Sequence, residues 1–174
     1  MFGGKIRGAY NFFILRTILD TIGTEKFPNY SRILKVARDL KDQWYGWEGF
    51  CEFLNEVEKV TTEEDLRAIG VKIMMGVKEG FISAGLTIVD AVLRDYDPLL
   101  KKNTKQMPPT ELPKTIHYEP GFVIIEISAS RPKALIEGYL MGIVQIFGRQ
   151  LISLKSEPVS RGDFSGFKYE LHWQ

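Results

Sequence analysis

The sequence is poor in the residues that most often carry chemistry, and each scarcity excludes a class of site. Cys51 is the only cysteine among 174 residues, so neither an intrachain disulfide nor a cluster of thiolate metal ligands can form. His117 and His172 are the only histidines, which is too few for a histidine-based metal site, and we expect each on the surface or edge of a strand. A single free thiol suits a reducing compartment, and we therefore expect a cytoplasmic protein.

The motifs of common enzymes are missing as well. No serine lies in a GxSxG turn, and no glycine run has the spacing of a P-loop or of a dinucleotide-binding turn. The formal charge of +1 gives no reason to expect nucleic acid, and the longest apolar runs are too short and too close to charges to span a bilayer. These absences predict a protein that is not an enzyme, whose function depends on its fold and on a cavity.

Apolar residues make up 44% of the chain, and their spacing predicts its elements. The central stretch is residues 121–148. Residues 123–128 alternate as in a strand, and Ser130 is placed to cap a helix with Pro132 as its second residue. Gly148 would end that helix. We predict a buried strand followed by a buried helix, around which the rest of the chain is arranged.

The residues before this stretch have the spacing of helices. We predict helices over 5–22, from 31 to about 41, over 43–60, from Thr62 through 77, and over roughly 81–96. Thr62-Glu63-Glu64-Asp65 resembles a capping box at the start of the fourth helix. Gly76 and Gly80 are expected to loosen or break the fourth helix. The aromatic residues of 43–60 are more often core than binding cage.

The C-terminal half is different in composition. Residues 98–120 are polar and proline-rich, which predicts an exposed crossing loop that ends in a short strand. Residues 150–159 and 167–173 alternate around a turn at 161–166, which predicts a hairpin. We therefore predict one domain of the α+β class, with a helical half over 1–97, the crossing loop over 98–120 and a strand–helix–hairpin half over 121–174.

This order of elements resembles the haem-nitric-oxide/oxygen-binding (H-NOX) fold. That superfamily also includes the 4-vinyl reductase small-molecule-binding domain and the vesicle-tethering TRAPP subunits. The segments that carry the resemblance are Pro108-Pro109, SASR at 128–131, EGYLMGIVQIFG at 137–148 and RGDFSGFKYELHW at 161–173.

The haem-binding branch of the superfamily has a Tyr-x-Ser-x-Arg motif that holds the porphyrin propionates. The matching positions here are Ile127, Ala129 and Arg131, so only the arginine is kept. The axial histidine of that branch would fall near Tyr96, and no histidine lies within twenty residues of it. The resemblance therefore argues against haem, although tyrosine can ligate ferric haem.

The resemblance implies a cavity between the fifth helix and the sheet. Gly76, Gly80 and Gly85 would make room in it, and Arg131 would contact a ligand carboxylate or phosphate, unless it only flanks the helix start. The expected ligand-binding residues are Met74, Phe81, Gly85, Val89, Tyr96, Ile127, Arg131 and Tyr139.

These features predict a non-enzymatic sensor or regulatory domain that binds a hydrophobic or amphipathic small molecule in an apolar pocket, with a homodimer and a signalling protein partner expected. One alternative is a structural interaction or homodimerisation module like the tethering subunits. Another is a divergent haem-binding gas sensor. No catalytic residue, metal or nucleic acid is expected.

Overall fold

The computed structural model describes residues 3–27, 42–94, 96 and 98–174. The helix predicted from residue 31 lies outside them. The described helices are α1 (Gly8–Ile22), α2 (Trp47–Lys59), α3 (Glu63–Ser83), α4 (Val89–Arg94), α5 (Pro98–Asn103) and α6 (Lys133–Ile146). The described strands are β1 (Lys5–Arg7), β2 (Trp44–Gly46), β3 (Thr104–Lys105), β4 (Lys114–Glu119), β5 (Phe122–Ser128), β6 (Leu151–Arg161) and β7 (Phe164–Trp173). The mixture of helices and antiparallel sheets confirms the α+β class.

A small antiparallel sheet occupies the N-terminal part of the molecule. Its strand order is β2-β1-β3, and Ile6 at its centre is fully buried opposite Tyr45 and Thr104. The prediction of a helix from residue 5 was therefore wrong over its first turn, because those backbone groups pair with two other strands. Helix α1 begins at Gly8 and ends at Gly23, whose φ of +94° favours glycine.

The aromatic segment 43–60 forms β2 and α2 and is mainly core, as predicted. Trp47, Phe50 and Phe53 are at most 5% exposed, whereas Trp44 is 37% exposed. The apolar residues of α2 recur at helical spacing, so one face of the helix is buried and the charged residues remain outside.

Helix α3 runs without a break for 21 residues. The hydroxyl of Thr62 caps it by accepting the Asp65 N–H at 3.1 Å, as the sequence predicted. The expected break at Gly76 or Gly80 was wrong. The helix ends instead just before Gly85, which has a φ of +79°, so Phe81 belongs to α3 and only Val89–Arg94 remains of the predicted fifth helix.

The segment 98–120 is more ordered than a loop. It contains α5, β3, a 3-10 turn over Pro109–Glu111 and the edge strand β4. The prediction of a crossing loop was correct only in its terminal strand, because proline-rich composition reveals no pairing between distant strands.

The larger sheet has the order β4-β5-β7-β6, with every neighbouring pair antiparallel. Strand β5 lies inside this sheet, with Val123, Ile125 and Ile127 fully buried in one core with α6. Strands β6 and β7 are longer than predicted and are joined by the two-residue turn Gly162-Asp163.

Helix α6 begins later than predicted. Its N-cap is Pro132, with no side-chain cap, and the predicted cap Ser130 instead donates its hydroxyl to Glu111. Its C-terminal end matches the prediction: Gly148 has a φ of +69° and donates its N–H to Gln145, while the Arg149 N–H reaches Val144.

Within the part of the chain that the structure describes, none of the helices has both the length and the apolar character needed to cross a membrane.

Candidate functional site

Helices α3 and α6 pack backbone to backbone through glycines. A Cβ atom on Gly138 would lie 2.2 Å from the carbonyl oxygen of Arg67, and one on Gly70 would lie 2.5 Å from that of Leu135. A Cβ on Gly142 would lie 2.6 Å from the Cβ of Met74. Any side chain at these positions would push the helices apart, so the glycines allow direct contact between α3 and α6.

The glycines that were expected to make room for a ligand are placed differently. A Cβ on Gly76 would meet the ring of Phe13 at 2.4 Å, so that space is already filled. Gly85 lies in an exposed turn after α3, with nothing near its Cβ position. The space at Gly76 is therefore not available to a ligand in this arrangement, and the ligand-binding role of Gly85 stays a prediction.

The eight predicted ligand-binding residues fall into three groups. Gly85 is exposed, and Arg131 belongs to a polar cluster described below. The others are core residues at most 5% exposed: Met74, Phe81, Val89, Tyr96, Ile127 and Tyr139. Met74 contacts α6 at Gly142. A ligand at these six residues would need them to separate first.

A buried polar cluster lies where α2, β5 and the 3-10 turn meet. The Glu111 carboxylate, 6% exposed, accepts three hydrogen bonds on Oε2. They come from the Trp47 indole N–H at 3.1 Å, the Ser128 hydroxyl at 3.0 Å and the Ser130 hydroxyl at 2.6 Å. Asn55 of α2 adds a bond to the Ser130 carbonyl at 3.3 Å. The cluster therefore fixes the segment just before α6.

Arg131 is the unusual member of this region. Its side chain is 5% exposed, and neither Nε nor Nη2 has a hydrogen-bond partner among the described residues. The guanidinium lies 5.3 Å from the centre of the Trp47 ring, within the range of a cation–π contact. Arginine keeps its charge when buried, so this is a fixed positive charge with unused donors.

Cys51 lies beside this cluster as a free, buried thiol. Burial raises the pKa of its thiol to about 11, against the opposing effect of Arg131. The thiol is 7% exposed, as expected for a small apolar core residue.

The sequence did not reveal Glu111, Trp47 or Ser128 as members of a site. Glu111 lies in a segment that has the composition of a loop, and Trp47 is one of many aromatic residues. The only available signal was the SASR segment itself, in which two serines and an arginine follow a buried strand.

A second buried carboxylate, Glu137, connects α6 with α3 and β6. Burial by itself would raise its pKa, but hydrogen bonds from Arg67 at 2.7 Å, Lys133 at 3.2 Å and Ser156 at 3.0 Å hold the pKa below its ordinary value. All three partners neutralise or satisfy the carboxylate, so we assign this network to stability.

The described residues form four surface grooves, and none of these grooves is lined by any of the eight predicted ligand-binding residues. One of about 570 Å³ lies near Thr21, Lys26 and Thr62. One of about 240 Å³ is lined mainly by charged residues of the larger sheet. One of about 220 Å³ lies between that sheet and the 3-10 turn, with Lys114, Glu126 and Arg161 among its lining residues. The fourth, of about 240 Å³, lies between α1 and α2 and is mainly apolar.

The two histidines lie on the exposed face of the larger sheet. The Phe122 ring stacks on His172 at 4.3 Å and lies 5.7 Å from His117, which also contacts Glu119 at 2.9 Å. This agrees with the prediction of strand-surface histidines. Among the described residues, no group of three or more His, Cys, Asp or Glu side chains is placed to hold a metal ion.

Comparison with solved structures identifies the fold. A point mutant of the T. tengcongensis H-NOX has a TM-score of 0.64 and 15% identity, over 97% of this chain and 98% of that one. A mutant H-NOX protein from K. algicida, Fe(II) unliganded, has a TM-score of 0.65 and 13% identity, over 97% of both chains. A mutant H-NOX domain from Shewanella oneidensis, in the Fe(II)CO ligation state, has a TM-score of 0.51 and 13% identity, over 91% of this chain.

No family model and no curated protein matches the sequence. The similarity to the solved structures is therefore one of fold, and it confirms the resemblance that the sequence suggested.

The residues at the positions expected to contact the propionates, and the two histidines, do not fit haem. Of the three positions expected to contact propionates, only Arg131 offers a polar side chain, since Ile127 is fully buried and apolar and Ala129 has no polar group. Both histidines lie on the outer face of the sheet. The direct contact between α3 and α6 also fills space next to the predicted site.

Proposed function

From the H-NOX fold of this chain, we propose that it is a sensor or regulatory domain that binds a small hydrophobic or amphipathic molecule carrying one anionic group. Arg131 contacts that group, as a carboxylate or phosphate. Occupancy passes to a partner protein through a shift of α6 against the sheet. The single buried thiol supports a reducing, cytoplasmic location.

The observation that carries this proposal is the buried guanidinium with unused donors. A buried cation without a hydrogen-bond partner destabilises the folded protein by several kcal/mol unless something neutralises it. A ligand carboxylate or phosphate could accept two parallel hydrogen bonds from Nε and Nη2. Binding would then recover part of the free energy that the empty site costs.

The role proposed for Arg131 is binding rather than catalysis. A guanidinium stays protonated and cannot act as a general base, and the neighbouring Cys51 thiol is protonated because burial raises its pKa to about 11. The apolar part of the ligand would lie against Trp47 and Phe50, whose rings are 5.3 Å apart beside Arg131. The Trp47 ring must move for the ligand to enter.

The first experiment is native mass spectrometry of the purified protein, followed by denaturing extraction and an absorption spectrum. The proposal predicts a stoichiometric bound mass with an acidic group. A Soret band would instead establish the divergent haem sensor and contradict our assignment. If the purified protein carries no bound molecule, a thermal shift test decides.

That test compares decanoate with 1-decanol, which share a chain and differ in charge. We expect decanoate at 100 times its Kd to stabilise the protein by about 2.7 kcal/mol, or roughly 5–10 °C in Tm. Decanol should have a smaller effect. No stabilisation by decanoate in a protein without bound mass would refute the proposal.

Two arginine variants separate binding from stability. Arg131→Met should leave the unliganded protein equally stable or more stable, because methionine removes a buried charge, and should abolish the decanoate shift. Arg149→Met changes an exposed arginine and should keep the full shift. A shift that persists in Arg131→Met would show that this guanidinium is not the anion contact.

A second candidate function is a structural interaction or homodimerisation module. The observation in its favour is the pair of exposed isoleucines on the edge strands of the larger sheet, Ile116 at 44% and Ile152 at 56%. Unpaired edge strands with apolar side chains are places where a second chain can add. Sedimentation velocity tests this: a stable dimer that Ile116→Lys dissociates would support it, and a monomer indifferent to that change would reject it.

A further inference from the structure

The apolar groove between α1 and α2 has features of a binding site that is separate from Arg131. It measures about 240 Å³, and Asn11, Tyr45, Gly49, Phe50 and Phe53 are among its lining residues. An apolar cavity of about 150 Å³ can hold one benzene molecule, so this groove has room for two fused rings. The groove therefore has room for a small aromatic guest.

The chemistry of the walls selects an uncharged aromatic guest. Three aromatic rings face the groove, and none of its described lining residues carries a charge. A charged guest would lose its hydration without gaining a counter-ion, whereas a flat ring would gain contact with the edges and faces of the three rings. The guest is thus aromatic and neutral.

One side of the groove is bare backbone. A Cβ atom on Gly46 or on Gly49 would meet nothing within 4 Å, so neither glycine is needed for close packing within the described chain. Both lie at the start of α2, where a flat ring can rest directly on the main chain. This open space is what distinguishes Gly49 from the tightly packed glycines of α3 and α6.

Asn11 supplies a polar group without a hydrogen-bond partner among the described residues. Its side chain lines the groove, and the unpaired atom, Oδ1, is enclosed. An unsatisfied buried acceptor destabilises the protein, and such groups in folded proteins call for an explanation. A rotation of the amide about χ2 would present this oxygen to a donor on the guest.

We propose that this groove binds a neutral bicyclic aromatic molecule with one N–H or O–H group, and that the Asn11 side-chain oxygen accepts the hydrogen bond from that group. Indole has this size and chemistry and serves as the probe. The site does not depend on Arg131, which does not line the groove, although Phe50 belongs to both proposed sites. The two sites are close in the packing, since the Phe50 ring lies 5.3 Å from Trp47.

The test is titration of indole and of 1-methylindole, which lacks the N–H donor, by calorimetry and ligand-observed NMR. Wild-type protein should bind indole at one saturable site and bind 1-methylindole about three- to tenfold more weakly. Asn11→Leu should bind both probes alike. Absence of saturable indole binding, or equal affinity of wild type for the two probes, overturns the proposal.

Variants at Gly49 locate the site. Gly49→Leu places a side chain in the open groove and should abolish indole binding, while Gly49→Ala adds only one methyl group and should retain it. Circular dichroism confirms that both variants fold, and the open space around Gly49 predicts that they do. Arg131→Met should not change indole affinity.

Two outcomes would assign the probe elsewhere. Unchanged binding in folded Gly49→Leu shows that indole does not occupy the groove. Loss of binding in Arg131→Met, with Gly49→Leu unaffected, places indole at the polar cluster. Either result overturns the inference, and neither affects the decanoate test of the proposed function.

Discussion

Replacing Gly138 with alanine tests the direct contact between α3 and α6. In an isolated helix this change would be favourable, since glycine costs about 1 kcal/mol relative to alanine in a helix interior. In the folded protein, however, the new Cβ would lie 2.2 Å from the Arg67 carbonyl oxygen and 2.9 Å from its Cα. The expected sign of the effect is therefore opposite to the helix propensity.

The magnitude follows from what must move. The atoms that meet the new methyl group belong to the α3 backbone, so no side chain can rotate away, and the gap must open from 2.2 Å toward the 3.4 Å of ordinary contact. Overpacking of this kind costs about 1–3 kcal/mol, and backbone obstacles favour the upper end. After the gain in propensity, we expect Gly138→Ala to lower the free energy of unfolding by about 1–2 kcal/mol.

Urea and thermal unfolding measure this directly. For a chain of this length, a loss of 1–2 kcal/mol corresponds to a fall in Tm of roughly 2–8 °C. The matched control is Gly49→Ala, also within a helix, where the new methyl group meets nothing within 4 Å. That variant should be equally stable or more stable by up to about 1 kcal/mol.

The pair of variants makes the reasoning refutable. If Gly138→Ala proves as stable as wild type or more stable, the two helices are not in backbone contact at this glycine.

Three further predictions concern Glu137, Cys51 and Thr62. The pKa of Glu137 in the folded protein lies below its ordinary value of 4.5, so the carboxylate stabilises the protein above that pH, and this contribution is lost as the pH falls through the folded pKa. In urea unfolding, Glu137→Gln should therefore be less stable than wild type at pH 7, and the difference should shrink below about pH 4.5. A difference that stays constant down to pH 3 would contradict this. With a pKa of about 11, only about one Cys51 thiol in a thousand is ionised at pH 8. Cys51 should therefore react with Ellman's reagent only as fast as the folded protein opens, and more slowly than an exposed thiol. Immediate labelling would show that the thiol is accessible. Thr62→Ala should lower the free energy of unfolding by about 1 kcal/mol because the Asp65 N–H loses its cap, whereas Thr62→Ser should not; equal stability of the two variants would argue against the cap.

Much of the fold could be predicted because its signals are local. The strand at 123–128, the cap at Thr62 and the stop at Gly148 were each predicted from residues a few positions apart, and all three are present in the structure. The errors occurred where distant pairing decides. Lys5–Arg7 pairs with strands about 40 and 100 residues away. Ser130 donates its hydroxyl to Glu111 instead of capping the helix.

The candidate site could be predicted only in part. Arg131 was identified through the family motif, and its burial with unused donors is a tertiary fact. Glu111 and Trp47 could not be linked to Arg131, since they lie 20 and 84 residues from it in the sequence, and no local pattern connects residues so far apart. The remaining predicted ligand-binding residues stay a prediction.

The sequence by itself determined that no intrachain disulfide or thiolate metal cluster can form, and it located the central strand, the final hairpin and several helices, because counts and local spacing carry that information. Only the tertiary structure decided what the glycines and polar groups do. Gly138 closes a helix contact while Gly49 leaves a groove open, and both are simply glycines in helices. The difference arises from which backbone lies opposite each one, and that depends on the packing of elements far apart in the chain.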